Sequence, residues 1–213
     1  MAERLTRKKR AEEVIRLLHE AFPDACCSLD TDLPERLAIR GILSAQCTDK
    51  RVNITASELF GRYPDMEQID NAPAGDISEV IKPCGLTASK TAAVKDFAHR
   101  YQTVWNGRVP DDPDLLMECK GIGRKIANLI IGEIYGIPAI VVDTHCKRVM
   151  FRIGLTDNTD PDKVLTDLNK VIPDSEKIAI GHLAVELGRS YCTSRNPDCA
   201  SCPLSGICRR KIL

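Results

Sequence analysis

Four cysteines near the C-terminus fall at the spacing Cys192-x6-Cys199-x2-Cys202-x5-Cys208. Thiolates are soft ligands that select zinc or iron–sulfur clusters, so four of them in one short segment point to a metal centre. Zinc ribbons and knuckles usually pair two C-x2-C hooks or mix in histidine. Here there is one C-x2-C, and no histidine follows His182. The spacing therefore favours an iron–sulfur cluster over zinc. Pro197 and Pro203, set between the ligands, stiffen the segment that would wrap it.

A second constellation is Leu116-Met-Glu-Cys-Lys-Gly-Ile-Gly-Arg-Lys-Ile-Ala-Asn128. A helical stretch meets Gly121-Ile122-Gly123 and a second helix starts at once. Glycines permit backbone angles that other residues resist, and free amides at a helix N-terminus point outward at an anion. Such a turn suits a helix–hairpin–helix that grips a phosphate. An ordinary αα-hairpin would show the same glycines, but Lys120, Arg124 and Lys125 beside them favour the phosphate reading. Further along comes Val141-Val-Asp-Thr-His145. Asp143 would serve well as a helix N-cap, and Lys125 alone would contact phosphate. Both duties are compatible with catalysis.

The elements that must position these residues are helical nearly throughout. Apolar residues recur at helical spacing from residue 5 to 22, from Pro34 through Leu43, and from a Thr48 or Asp49 cap to Phe60, before Gly61 and Pro64. Further helical stretches run over 66–71, 75–82, 87–104, 111–118 and 124–135. Another, capped by Asp143 or Thr144, ends at Ile153, and the last two cover 160–172 and 174–190. No segment alternates convincingly as a strand. The sequence predicts an all-α fold of two domains. Residues 28–137 form a central helical domain with the hairpin at 112–136. Residues 1–27 and 138–213 form a terminal domain that includes the cysteine loop, 192–208.

Composition limits the class. The 213 residues, 43% hydrophobic and 28% charged, suit a globular chain with a proper core. No apolar run approaches the ~20 residues of a membrane span. The basic stretch Met1–Arg10 leads into no apolar h-region, so a cytoplasmic, non-secreted protein without a membrane partner is expected. Thirty basic and thirty acidic residues cancel. Between Cys119 and Arg152, however, Lys120, Arg124, Lys125, Lys147, Arg148 and Arg152 face only Glu133 and Asp143, as one basic face for a duplex would. Ten cysteines in such a setting are not read as disulfides. Most of the six outside the C-terminal loop are expected to be small buried hydrophobes.

Taken together, Gly-Ile-Gly-Arg-Lys-Ile-Ala-Asn, Val-Asp-Thr-His and the cysteine tail closely resemble bacterial endonuclease III, the bifunctional DNA glycosylase/AP lyases of the helix–hairpin–helix superfamily. Leu43-Ser-Ala-Gln-Cys-Thr-Asp49 and Cys84-Gly-Leu-Thr-Ala-Ser-Lys90 extend the resemblance over nearly the whole chain. The resemblance implies Lys125 as nucleophile and Asp143 as its catalytic partner. It implies Gln46 filling the gap left by an extruded nucleotide and Leu86 wedging into the stack. Lys120, Gly121, Gly123, Arg124 and His145 would be further DNA contacts. Cys192, Cys199, Cys202 and Cys208 would ligate a [4Fe–4S] cluster, and DNA would cross a cleft between the two domains. The expected partner is double-stranded DNA with a damaged base or abasic site, bound by a monomer.

That chemistry is coherent. A damaged base must leave the stack before its sugar carbon can be attacked. A lysine attacks only as the free amine, so helix position, Arg124 and desolvation must lower its proton affinity. Attack at C1′ expels the base and leaves a Schiff base that permits β-elimination, with Asp143 stabilising positive charge on the sugar. Oxidised pyrimidines are the expected substrates. A paralogue for mismatched or alkylated bases is the alternative, and a non-catalytic iron–sulfur DNA-binding module is the remaining one. The sequence departs from the family pattern in three places. Cys119-Lys120 stands where Leu-Pro usually precedes the hairpin, and Cys47 replaces a small residue. Thr-Ser-Arg-Asn-Pro-Asp between the first two ligands is nearly neutral, which together with zero net charge predicts weaker, more salt-sensitive or more lesion-dependent DNA binding.

Overall fold

A computed structural model describes residues 5–211, so residues 1–4 of the basic N-terminal stretch lie outside it. The described residues form eleven α-helices and no strand: α1 (Arg7–Ala21), α2 (Pro34–Leu43), α3 (Asp49–Arg62), α4 (Met66–Asn71), α5 (Ala74–Ile81), α6 (Thr87–Thr103), α7 (Pro113–Met117), α8 (Arg124–Tyr135), α9 (Thr144–Ile153), α10 (Pro161–Asn169) and α11 (Lys177–Ser190). Short 3₁₀ turns, Lys82–Cys84 and Asp174–Glu176, follow α5 and precede α11. The fold is all-α, as the periodicity predicts.

Local chemistry sets most helix ends. The side chains of Thr6, Asp65, Asp112, Asp143 and Asp160 each accept a hydrogen bond from a first-turn amide. Pro34, Pro113 and Pro161 begin their helices, where a missing N–H costs nothing. Thr48 occupies the N-cap of α3 but its side chain makes no capping bond, contrary to expectation. Gly136 and Gly154, at φ 64° and 88°, end α8 and α9 in the left-handed region.

The chain divides into two compact units, Cys27–Ile137 and the paired segments Met1–Cys26 and Pro138–Leu213. The first unit holds α2 to α8 around Leu37, Ile39, Leu43, Leu59, Ile69, Ile81, Phe97, Leu116 and Ile130, all of them buried. Phe97 carries Trp105 edge-on at 5.5 Å, which seals the end of α6. In the second, α1 and α9 to α11 surround Val14, Leu18, Val149, Met150, Ile180, Leu183 and Leu187, and Leu204 anchors the cysteine loop to that core. Of the six cysteines outside the loop, Cys84, Cys119 and Cys146 are buried; Cys27 and Cys47 are half-buried, and Cys26 is exposed. Burial as small hydrophobes thus applies to three of them.

Candidate active site

In the first unit, α7 and α8 flank the Gly121-Ile122-Gly123 turn. Ile122 plugs into the core at 4% exposure, which turns the backbone on either side outward. Gly121 has φ 78°, and a Cβ there would stand 2.7 Å from the Cβ of Ala93 on α6, so both conformation and packing demand glycine. Gly123 differs. Its φ of −100° and ψ of −179° are open to any residue, and a Cβ would meet nothing within 4 Å. The fold itself places no demand for glycine at 123.

Gly123 is the N-cap of α8 and has no side chain to cap the amides of the first turn. Arg124 and Lys125 form that turn, both exposed. Arg124 pairs with Asp114 at 3.3 Å. The Lys125 ammonium makes no hydrogen bond or ion pair among the described residues. The desolvation anticipated for it is therefore not supplied by this unit of the fold, because Lys125 lies on the exposed side of the turn whose Ile126 and Ala127 are buried.

The Lys120 N–H donates to Asp96 Oδ2 at 2.9 Å, a bond that proline could not make. Burial pushes the Asp96 carboxyl up, but the Lys120 amide, the Cys119 thiol and the charge of Arg100 together hold it below the usual carboxylate range. The Cys119 thiol is itself pushed up to about 12 by burial and by Asp96, so it stays protonated as a donor. A hydrogen-bonded turn stands here in place of a proline-stiffened one.

Gln46 and Leu86 lie on two exposed turns of the same unit, after α2 and before α6. Both adopt positive φ, 53° and 49°, in the left-handed region that side chains other than glycine enter at a cost. Leu86 is 49% exposed, so its apolar side chain stands in solvent. Between the turns, Cys47 sits within hydrogen-bonding reach of Cys84, and burial raises its thiol above the ordinary value.

In the second unit, Asp143 caps α9, with Oδ1 accepting from the Cys146 amide at 2.7 Å. Its other oxygen accepts no hydrogen bond among the described residues. His145, half-buried, has Nδ1 3.2 Å from Arg148 Nη2. Burial lowers its pKa, Arg148 and Arg189 add to that and Asp143 opposes, so the ring is neutral at pH 7. Gly188 makes room for it, since a Cβ there would lie 2.7 Å from that Nδ1.

Arg148 and Arg152 do not join a solvent-facing basic patch. Arg148 donates to the carbonyls of Cys192 at 2.9 Å and Gly188 at 3.0 Å. Arg152 donates to Thr193 O at 2.6 Å, Ser194 O at 2.9 Å and Cys192 Sγ at 3.5 Å. Carbonyls left over by the last turn of α11 and by the cysteine loop draw both guanidinium groups inward, which corrects the reading of residues 119–152 as one basic face.

An open cavity of about 560 Å³ is lined by Cys192, Cys199, Cys202 and Cys208 of that loop together with Arg148, Arg152 and Leu187 of α9 and α11. Two sulfurs already receive N–H donors, Cys192 from Arg152 and Cys208 from the Arg210 amide at 3.3 Å. Donors of this kind stabilise thiolates and tune clusters. A single tetrahedral zinc would need its sulfurs about 3.8 Å apart, given Zn–S bonds of about 2.3 Å. Among the described residues no group of three or more Cys, His, Asp or Glu is arranged to hold one metal ion. Four thiols around a roomy cavity fit a multi-iron cluster.

Residues 39–174 match the HhH-GPD superfamily of base excision DNA repair proteins, and residues 192–208 match the iron–sulfur binding domain of endonuclease III. The chain belongs to the endonuclease III family. Endonuclease III of Synechocystis sp. is 38% identical over 206 residues, covering 95% of this chain and 93% of the relative. The Bacillus subtilis protein is 34% identical, with 94% and 92% covered. A solved structure of a trapped endonuclease III–DNA covalent intermediate superposes with a TM-score of 0.91 at 35% identity, covering 97% of each chain. The chain is thus an enzyme, a DNA glycosylase/AP lyase of base excision repair with a [4Fe–4S] cofactor, and the non-catalytic reading is set aside. No described helix is long and apolar enough to cross a membrane.

Two residues that hold these turns went unread in the sequence, Lys90 and Asp96, while Arg148 and Arg152 were read for their charge but not for the carbonyls they hold. Only Lys90 left a signal: a lysine on the apolar stripe of α6 that includes Ala93, Val94 and Phe97.

Proposed function

We propose that the enzyme excises oxidised pyrimidines from duplex DNA through a Schiff base on Lys125 and then cleaves the abasic strand by β-elimination. The observation that carries this reading is Lys125 itself, exposed and unpartnered in the uncapped first turn of α8, in a family for which a covalent DNA intermediate has been trapped. The Lys125 amine attacks C1′ of the extruded nucleotide, and the electron pair of the C1′–N bond leaves with the base. Loss of a proton from nitrogen and opening of the sugar give the imine. Removal of a C2′ proton then expels the 3′ phosphate. Asp143, whose second oxygen is unengaged, stabilises the positive charge on the sugar and relays the proton.

The free amides of α8 and the turn at Gly121 would hold one backbone phosphate, assisted by Lys120 and Arg124. This supplies the reason for Gly123 that the fold lacks: without a Cβ, a phosphate approaches the amides directly. Gln46 and Leu86 enter the stack, and the neutral ring of His145 contacts the strand beside Asp143. Cys192, Cys199, Cys202 and Cys208 hold the [4Fe–4S] cluster, which when bound ties the loop into one frame. The protein works as a monomer.

Borohydride trapping on an abasic-site duplex tests the mechanism. Wild type should form a covalent adduct and Lys125→Ala should not; an adduct of equal yield from the alanine variant would assign the nucleophile elsewhere. A panel of oxidised, mismatched and alkylated bases tests the substrate class.

A further inference from the structure

Lys90 is an ammonium with almost no water. It is 3% exposed, on the first turns of α6, and no carboxylate pairs with it among the described residues. Its partners are two backbone carbonyls, Ala45 O at 2.7 Å and Cys84 O at 2.8 Å. Burial lowers its proton affinity, and the neighbouring Cys84 and Cys47 sulfurs counter this. An unpaired buried charge is expensive and persists only where something requires it.

The two carbonyls lie where two helices run out. Ala45 lies just past the end of α2, and Cys84 ends the 3₁₀ turn after α5. Both sites gather the negative end of a helix dipole, so a cation between them ties two helix C-termini together. The next residue along the chain from each carbonyl matters more. The Ala45 carbonyl shares its peptide plane with the amide of Gln46, whose φ is 53°. The Cys84 carbonyl shares its plane with Gly85, at φ 68°, and Leu86 comes next at φ 49°. Fixing the two planes fixes the frame from which these left-handed residues depart. The far side of Leu86 is fixed by α6 itself, through Lys90 N to Leu86 O at 3.0 Å and Ser89 Oγ to the same oxygen at 2.9 Å.

We propose that Lys90 is a positioning residue for base extrusion: its ammonium, bridging Ala45 O and Cys84 O, presets Gln46 and Leu86 in the left-handed conformations from which both side chains enter the duplex. Without the bridge the turns would relax to ordinary backbone angles, and the insertion geometry would have to be rebuilt at each encounter. The inference rests on the reading of Gln46 and Leu86 as the duplex-penetrating pair.

The test is a double-mutant cycle read by stopped-flow fluorescence of a base analogue placed opposite an oxidised pyrimidine, with single-turnover excision in parallel. Lys90→Met keeps the length and apolar stem but removes the bridge. It should slow insertion and excision about tenfold, the effect of losing a charge-assisted hydrogen bond, while leaving the bimolecular encounter unchanged. In a Gln46→Ala/Leu86→Ala background it should slow them no further, and Lys90→Arg should restore part of the wild-type rate. Equal slowing in both backgrounds would mark a general packing role and overturn the proposal. So would a Lys90→Met rate equal to wild type beside an impaired alanine pair. An alanine pair that inserts as fast as wild type would instead remove the penetrating assignment, and the clamp with it. Lys90→Gln, polar but too short to bridge both carbonyls, carries the same comparison if the methionine variant does not fold.

Discussion

Asp143 has one duty seen in the fold and one proposed for it, and substitution can separate the two. Its Oδ1 caps α9 through the Cys146 amide at 2.7 Å, and its carboxylate charge is the part assigned to the reaction. Asp143→Asn keeps an oxygen acceptor in the same place and loses only the charge. The cap then survives, and what is lost is the charge–dipole contribution, about 0.5 kcal/mol. Asp143→Ala loses both, for a total near 1.5 kcal/mol when about 1 kcal/mol is taken for the cap. In a chain of this size each kcal/mol moves Tm by roughly 2–4 °C. Alanine should therefore lower Tm by roughly 3–6 °C and asparagine by roughly 1–2 °C. Single-turnover excision should show the opposite lack of distinction, both variants falling by about 10²–10⁴-fold, the range for a lost acid–base or electrostatic partner. Excision by Asp143→Asn within threefold of wild type would reduce Asp143 to a helix cap. An unchanged Tm for Asp143→Ala would remove the cap.

Asp96→Ala leaves the Lys120 amide, the Cys119 thiol and Arg100 without their acceptor, at a cost of about 2 kcal/mol near neutral pH. Because the folded carboxyl is held below its unfolded value of about 3.9, this stability is present above that pH and lost as pH falls through the folded value. Urea unfolding tracked by Trp105 fluorescence should thus show a gap between wild type and the variant that narrows in acid; a gap independent of pH would exclude a charge effect. Arg152→Ala removes donors to Thr193 O, Ser194 O and Cys192 Sγ. The brown colour of the cluster should decay several-fold faster under a chelator, with Arg152→Lys between the two, and an unchanged rate would show that the loop holds without Arg152.

The helices were legible because nearly all carry an apolar stripe at helical spacing and many start on Asp, Thr or Pro. Boundaries slipped where the backbone tightens: α10 stops at Asn169 rather than 172, and α11 starts at Lys177 after a 3₁₀ turn. Lys125 and Asp143 stood out by type and neighbours, and the cysteines by spacing. What the residue types concealed was direction. Arg148 and Arg152 read as surface cations, yet they point at carbonyls more than forty positions away in Cys192, Thr193 and Ser194. Lys90 likewise answers to Ala45 and Cys84 through their backbone oxygens, and a carbonyl carries no trace of its residue type. Gly121 and Gly123 look alike in the sequence, but only φ and the distance to Ala93 show that packing needs the first alone.

In the first unit, local rules fail along the stretches expected to meet DNA. Gln46 and Leu86 hold left-handed backbone without being glycine, Lys90 is charged and buried without a carboxylate, and α8 opens without a side-chain cap. Each departure costs stability, and each would be easy to remove: glycine at 46 or 86, methionine at 90, serine at 123. Each easy repair also strikes a proposed function. Glycine deletes a penetrating side chain, methionine frees the two turns, and serine would supply to the α8 amides the oxygen that a phosphate is meant to supply. Under the proposed roles, local strain and the uncapped α8 amides would favour the bound state, held in place by the well-packed helices around Phe97, Leu116 and Ile130.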